Sequence, residues 1–181
     1  MSAASHMQDA PQEEDVPDVS ALFPEAPPEC HRTLDMVLRA GLKASFRLLP
    51  QARPRLEEIA QACDCEVDAI AQIALYKGKT SKKPYLVIAS GKRTMKERAL
   101  AAAIGEVLQR SNDEATMQLT GFAPGMIPPL GLTMRLPVLM DANLNRFAQI
   151  WCHAGTPNAF IRVSTALLAR AISARSIKPD L

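Results

Sequence analysis

Apolar side chains first fall into a regular pattern at Thr33, where Leu34, Val37, Leu38 and Leu42 recur at helical spacing and Gly41 offers a stop. Ser45 to Leu49 alternates like a strand, and Pro50 to Pro54 reads as a turn. Leu56, Ile59 and Ala60 mark a second short helix, with Glu57 and Glu58 in its first turn, where the helix dipole favours anions. Ile70 to Tyr76 reads as a strand, Lys77 to Pro84 as an exposed hairpin loop, and the unbroken apolar run Tyr85 to Ala89 as a central strand. Helices are expected over about Lys96 to Ile104 and Asp113 to Leu119.

Between Gly121 and Gly131 stand three glycines and three prolines, a density that neither a helix nor a sheet interior tolerates, so the segment is a shaped loop. Strands follow at Leu136 to Met140, Gln149 to Cys152 and Ala159 to Val163, separated by turns near Asn143 and at Ala154 to Pro157. Ser164 can cap a last helix, Thr165 to Ile172. Strands and helices mix without strict alternation and without internal repeats. The expectation is a single compact α/β domain around a mixed β-sheet with flanking helices.

Composition narrows the class. At 181 residues, 48% apolar and 22% charged, the chain can bury a core. Each apolar run is broken before the ~18 residues that a membrane span requires. The opening stretch is acidic and Pro-rich, unlike a secretory signal, so a soluble cytoplasmic protein is expected. Residues 1–29 hold five of the fourteen prolines and no glycine, and read as a flexible or loosely docked tail with Leu22-Phe23 as its only apolar anchor. Ser5-His6-Met7 within it reads as a cloning remnant. The domain proper is expected over residues 30–181.

The net charge of +2 conceals an asymmetry: residues 1–30 carry seven acids and no Lys or Arg, leaving 21 basic against 12 acidic groups in the rest. Such a body can attract a polyanion. Lys77, Lys79, Lys82, Lys83, Lys92, Arg93, Lys96 and Arg98 fall within 22 residues. They read either as a solvated hairpin or as a surface for a phosphate backbone.

Most catalytic chemistries fail on the residues. His31 and His153 are the only histidines of the domain, and no nucleophile motif accompanies them. Lys77-Gly-Lys-Thr80 lacks the upstream glycine of a phosphate loop and opens no apolar helix. Cys63-Asp-Cys65 has no partner pair at ligand spacing, so no metal or cofactor is expected. What remains is a pair of glycine turns beside apolar strands, Gly125-x-x-x-Pro129 and Gly155-Thr-Pro157. Glycine lets backbone N–H groups approach a ligand and proline stiffens the loop, so the two turns could hold a small substrate and polarise its carbonyl. Two ordinary structural turns would look the same.

Together, Ile70 to Gly91, Thr120 to Gly131, Leu136 to Asp141 and Trp151 to Asn158 resemble the YbaK/EbsC family, the free-standing relatives of the editing domain inserted in bacterial prolyl-tRNA synthetase. The resemblance covers roughly residues 33–177. It implies a compact α/β domain that hydrolyses the ester of a mischarged aminoacyl-tRNA, usually without a metal. On that basis Gly125 and Gly155 would provide backbone contacts, and Met126, Ile127, Pro128, Pro129, Thr156, Pro157 and Asn158 would surround the aminoacyl group. Lys77, Lys79, Lys82, Lys83, Lys92 and Arg93 would meet the tRNA backbone.

Three positions depart from the family pattern. Gln72 stands where deacylating members carry a lysine, Ile73 where a small polar residue or Asn is usual, and Asn158 where His is frequent. A neutral amide cannot replace the lysine's charge at a developing oxyanion, although it can orient water or the terminal ribose. Two functions follow: a trans-editing deacylase for a small amino acid, or a catalytically impaired fold that binds tRNA or a partner protein. An unrelated small-molecule binding domain is a third. The expected partner is aminoacyl-tRNA, with an aminoacyl-tRNA synthetase as a second candidate and neither DNA nor membrane. His153, beside the Gly155 turn, reads as structural, and Trp151 as core beside the pocket.

Overall fold

The structure is a computed structural model that describes residues 17–179. Two sheets organise it. A five-stranded mixed sheet has the order β4 (Leu108–Arg110), β2 (Ala71–Gly78), β3 (Pro84–Ser90), β5 (Val138–Asp141), β8 (Arg175–Ile177). Here β2 runs antiparallel to both β3 and β4, whereas β3–β5 and β5–β8 are parallel. A three-stranded antiparallel sheet has the order β1 (Ser45–Leu48), β7 (Ala159–Ser164), β6 (Gln149–His153). A single parallel bridge between Ile70 and Trp151 joins the two.

Period-two alternation explains why Tyr85 to Ala89 lacks polar breaks. Leu86 and Ile88 of β3, with Val138 and Met140 of β5, face the main core. Val87 and Leu139 point the other way, onto Met95, Ala99, Leu100 and Leu108 beneath α4 (Glu97–Ile104). A strand covered on both faces reads as continuously hydrophobic. A third cluster, Ile59, Ala60, Ile70, Trp151 and Phe160, sits under α3 (Leu56–Ala62), with Trp151 in the core as expected.

The amino-terminal part differs from the sequence expectation. Residues 17–29, read as a loose tail, form α1 (Val19–Leu22) and the first turn of α2 (Pro28–Arg39). Val19, Phe23 and Ala26 are buried in the main core, and the ring of Phe23 lies 6.2 Å from that of Phe46. Leu22 points to solvent. Its acids Asp18, Glu25 and Glu29 lie on the outside, and the buried residues Val19, Phe23 and Ala26, with Cys30 just beyond, are spaced three or four apart, a helix-like interval that the intervening prolines disguise. Residues 1–16, which hold the rest of the expected tail, lie outside the described residues.

Cys30, Thr33, Leu34 and Val37 form the buried face of α2, and Gly41 follows the helix at φ +74°. Asn112 caps α5 (Asp113–Thr120) through Ala115 N–H at 2.8 Å, and Ser164 caps α6 (Thr165–Ala171) through Leu167 N–H at 3.3 Å. The expected loop from Lys77 is shorter than foreseen. β2 continues through Gly78, and its turn is tied by Glu106, whose carboxylate accepts the N–H groups of Thr80 and Ser81 at 2.9 Å each. Among the described residues, no helix is long and apolar enough to cross a membrane.

Candidate functional site

Gln72 sits on the half-buried face of β2, opposite Ala89 of β3, while its neighbours Ala71 and Ile73 point into the main core. The side chain faces a cavity of about 150 Å³. One wall comes from Arg53 and Pro54 of the turn before α3, with Leu56 and Ile59 of α3 itself. Another comes from Pro124, Gly125 and Met126 of the glycine–proline loop, and the last from His153 and Pro157.

The loop is held at both ends. Gly121 closes α5 at φ +83°, and Thr120 Oγ1 donates to the Thr116 carbonyl at 2.6 Å while accepting Phe122 N–H at 3.1 Å. At the other end, Gly131 packs on Thr33 of α2 so closely that a Cβ would lie 3.1 Å from Thr33 Cα. The tip between them overhangs the cavity. Gly125 there adopts φ +84°, and a Cβ added to it would meet nothing within 4 Å, so its backbone is open to an approaching ligand.

His153 ends β6. Its ring lies 4.7 Å from that of Phe160, tilted by 46°. The residue is almost wholly buried, with Pro157 beside it on the cavity wall. Burial disfavours the imidazolium and pulls the pKa down to about 4. The ring is therefore neutral near pH 7, and a neutral imidazole keeps a lone pair on one nitrogen.

The structure brings together only some of the residues that sequence reasoning grouped. Gln72, Gly125, Met126 and Pro157 share the cavity wall. Gly155 does not: it is buried at φ +119°, and an added Cβ would stand 3.0 Å from Phe122 Cε1 and 3.1 Å from the Glu29 carbonyl oxygen. Its lack of a side chain serves the packing of the turn against α2. Asn158 ties that turn to the end of β1, its Nδ2 donating to the Leu49 carbonyl at 2.9 Å while Leu49 N–H donates back to the Asn158 carbonyl at 2.8 Å. Thr156 donates to Asn158 Oδ1 at 3.2 Å, and burial pushes the nearby Cys30 thiol up to about 11. Ile127, Pro128 and Pro129 are buried behind the loop. Ile127 instead lines an adjoining cavity of about 260 Å³ that shares Pro124 and Gly125 with the first.

The basic stretch is also divided. Lys79, Lys82 and Lys83 occupy the β2–β3 turn, and Lys77 lies just before it. Six residues of strand separate Gln72 from Gly78, or about 20 Å. Lys92 and Arg93 follow β3 at the opposite end, near Gln72, and pair with Glu57 of α3 and with Asp68 (3.7 Å). The hairpin folds the first four lysines away from the cavity that the last two flank.

Comparison with known proteins places this arrangement. The model of the aminoacyl-tRNA editing domain matches residues 51–171, which contain every residue lining the cavity. The chain belongs to that family, in its YbaK-like branch. Among solved structures, a scaffold protein used in epitope backbone grafting by computational design is 31% identical, with a TM-score of 0.77 over 85% of this chain and 97% of its own. A crystal structure of "a putative trans-editing enzyme for prolyl tRNA synthetase" is 29% identical, with a TM-score of 0.77 over 84% of this chain and 97% of the relative. A hypothetical protein at 17% identity shares the fold, with a TM-score of 0.73 over 80% and 96% of the two chains. None of the curated proteins matches. Of the three positions that the sequence reading singles out, Gln72, Ile73 and Asn158, the structure puts Gln72 on this cavity and Ile73 on the adjoining one, with Asn158 on neither. His153 is the cavity residue that sequence reading set aside, since its neighbours along the chain are core and only the fold turns it toward Gln72.

Proposed function

We propose that this editing domain hydrolyses the ester bond of aminoacyl-tRNA charged with a small amino acid, acting in trans on tRNA released by a synthetase. The observation that carries the reading is the cavity itself. Its volume of about 150 Å³ is half the lower end of the ~300–1,000 Å³ typical of ligand pockets, which suits a small aminoacyl group. Leu56, Ile59 and Met126 supply apolar walls, so size selection would be worth ~1–3 kcal/mol per methylene. Gln72 offers an amide N–H₂ and a carbonyl, which can orient both the ester and an attacking water. The open backbone at Gly125 is placed to donate to the carbonyl oxygen as charge develops there.

The terminal ribose and base of the tRNA must leave such a cavity through its mouth. The adjoining 260 Å³ cavity, with Arg110, Ser111 and Asp113 on its wall, provides room across Gly125. Arg53, Lys92 and Arg93 supply positive charge on the other flank for phosphates. Those positions support a tRNA-dependent role, which we take to be cytoplasmic, with a synthetase as a transient partner. The hairpin lysines would at most meet a more distant part of the tRNA.

The test is deacylation of tRNAs mischarged with Ala, Ser, Thr and 2-aminobutyrate, by wild type and Gln72→Lys in parallel. Turnover by the wild type well above spontaneous hydrolysis supports the reading and identifies the amino acid. An inert wild type beside an active Gln72→Lys variant would refute it in favour of a preserved pocket whose catalysis has been lost.

A further inference from the structure

Of the ten residues that line the Gln72 cavity, seven have apolar side chains or none: Pro54, Leu56, Ile59, Pro124, Gly125, Met126 and Pro157. The remaining three are Arg53, Gln72 and His153. Arginine keeps its charge and glutamine does not take up a proton near neutral pH. His153 is therefore the only side chain on the cavity wall that can accept a proton and return it.

Its surroundings fix how it would do so. A neutral imidazole carries one N–H and one nitrogen with a free lone pair, and the second can accept a proton. Packing on Phe160 holds the ring plane. Pro157, on the same wall, lies in the turn that Asn158 anchors to Leu49, so this side of the cavity is tied to β1.

We propose that His153 is the general base of the deacylation, a role that rests on the deacylase reading above. As the water oxygen bonds to the ester carbonyl carbon, its proton passes to the free nitrogen of His153. The tetrahedral intermediate collapses with cleavage of the bond between the carbonyl carbon and the ribose oxygen, and the imidazolium returns the proton to that oxygen. Free amino acid and an uncharged tRNA terminus leave, and the imidazole is neutral again. Burial keeps the resting ring unprotonated at physiological pH. The negative charge that builds on the ester oxygen beside it offsets the penalty for forming the imidazolium. Arg53 is the one other charged residue on this wall.

The experiment compares wild type, His153→Ala and His153→Gln on whichever mischarged tRNA the wild type hydrolyses. Circular dichroism and melting temperature confirm the fold of each variant. Loss of a general base lowers kcat by about 100-fold or more, with KM little changed. Glutamine fills much of the space and keeps a polar amide there but cannot take up the proton, so its failure to restore kcat separates proton transfer from packing. Added imidazole is expected to restore kcat to the alanine variant in a saturable manner and to leave the glutamine variant unaffected. A folded His153→Gln enzyme within about threefold of wild type would overturn the role, as would a folded alanine variant that imidazole does not rescue. A wild type inert on every tRNA would overturn the deacylase reading itself, and this role with it.

Discussion

Replacing Gly155 and Gly125 by alanine, one at a time, separates packing from substrate contact in the two glycine turns. Both residues have positive φ, at +119° and +84°. A Cβ in that region costs roughly 1–2 kcal/mol in either case. At Gly125 nothing else is lost, because the space around the added carbon is open. At Gly155 the methyl group must also displace the Phe122 ring and the backbone of α2 at Glu29, 3.0 and 3.1 Å away. Overpacking of that kind typically adds ~1–3 kcal/mol. The expected losses are about 1–2 kcal/mol for Gly125→Ala and about 2–5 kcal/mol for Gly155→Ala. In a chain of this length, each kcal/mol corresponds to a shift of ~2–4 °C in melting temperature. Urea unfolding and thermal melts of the two variants read the difference directly. Deacylation supplies the second axis: Gly125→Ala should lose rate while staying folded, and Gly155→Ala should lose stability first. If Gly155→Ala melts no lower than Gly125→Ala and yet loses activity, Gly155 touches substrate and its assignment to packing is wrong.

The docked amino-terminal segment gives a second test. Phe23→Ala removes a buried ring and should cost ~3–5 kcal/mol, measured by urea unfolding; an unchanged midpoint would mean that α1 contributes nothing to the core. His153 makes stability depend on pH. Its pKa is about 4 in the folded chain against an ordinary 6.5, so the unfolded chain takes up the proton first. The contribution is present above pH 6.5 and is lost as pH falls toward 4, by about 3 kcal/mol over that window. Unfolding measured at pH 7 and pH 4.5 should show a drop in the wild type that is much smaller in His153→Gln. Equal drops in both would place the sensitivity elsewhere.

Local patterns in the chain were enough to specify most of the elements. Alternation and runs of apolar residues marked β2, β3, β5, β6 and β7, glycine and proline marked the shaped loop, and Ser164 marked the start of α6. These signals arise within a few residues of one another, so no tertiary contact is needed to read them. The strands β4 and β8, at three residues each, carry no such signal and exist because β2 and β5 offer edges to pair with. α1 was hidden for a similar reason, since its few apolar residues matter only against a core assembled from other segments. At the site, the motifs indicated which turns to examine but not which residues face one another. Gly155 and Asn158 belong to a motif that looks like binding, yet the fold spends them on packing and on a tie to β1. His153 sits in an ordinary strand end, and only the meeting of the two sheets at the Ile70–Trp151 bridge brings it to the same cavity as Gln72. Sequence fixes the conformation of short segments through local sterics and periodicity. Which side chains share a cavity is decided by long-range packing, which no window of the sequence contains.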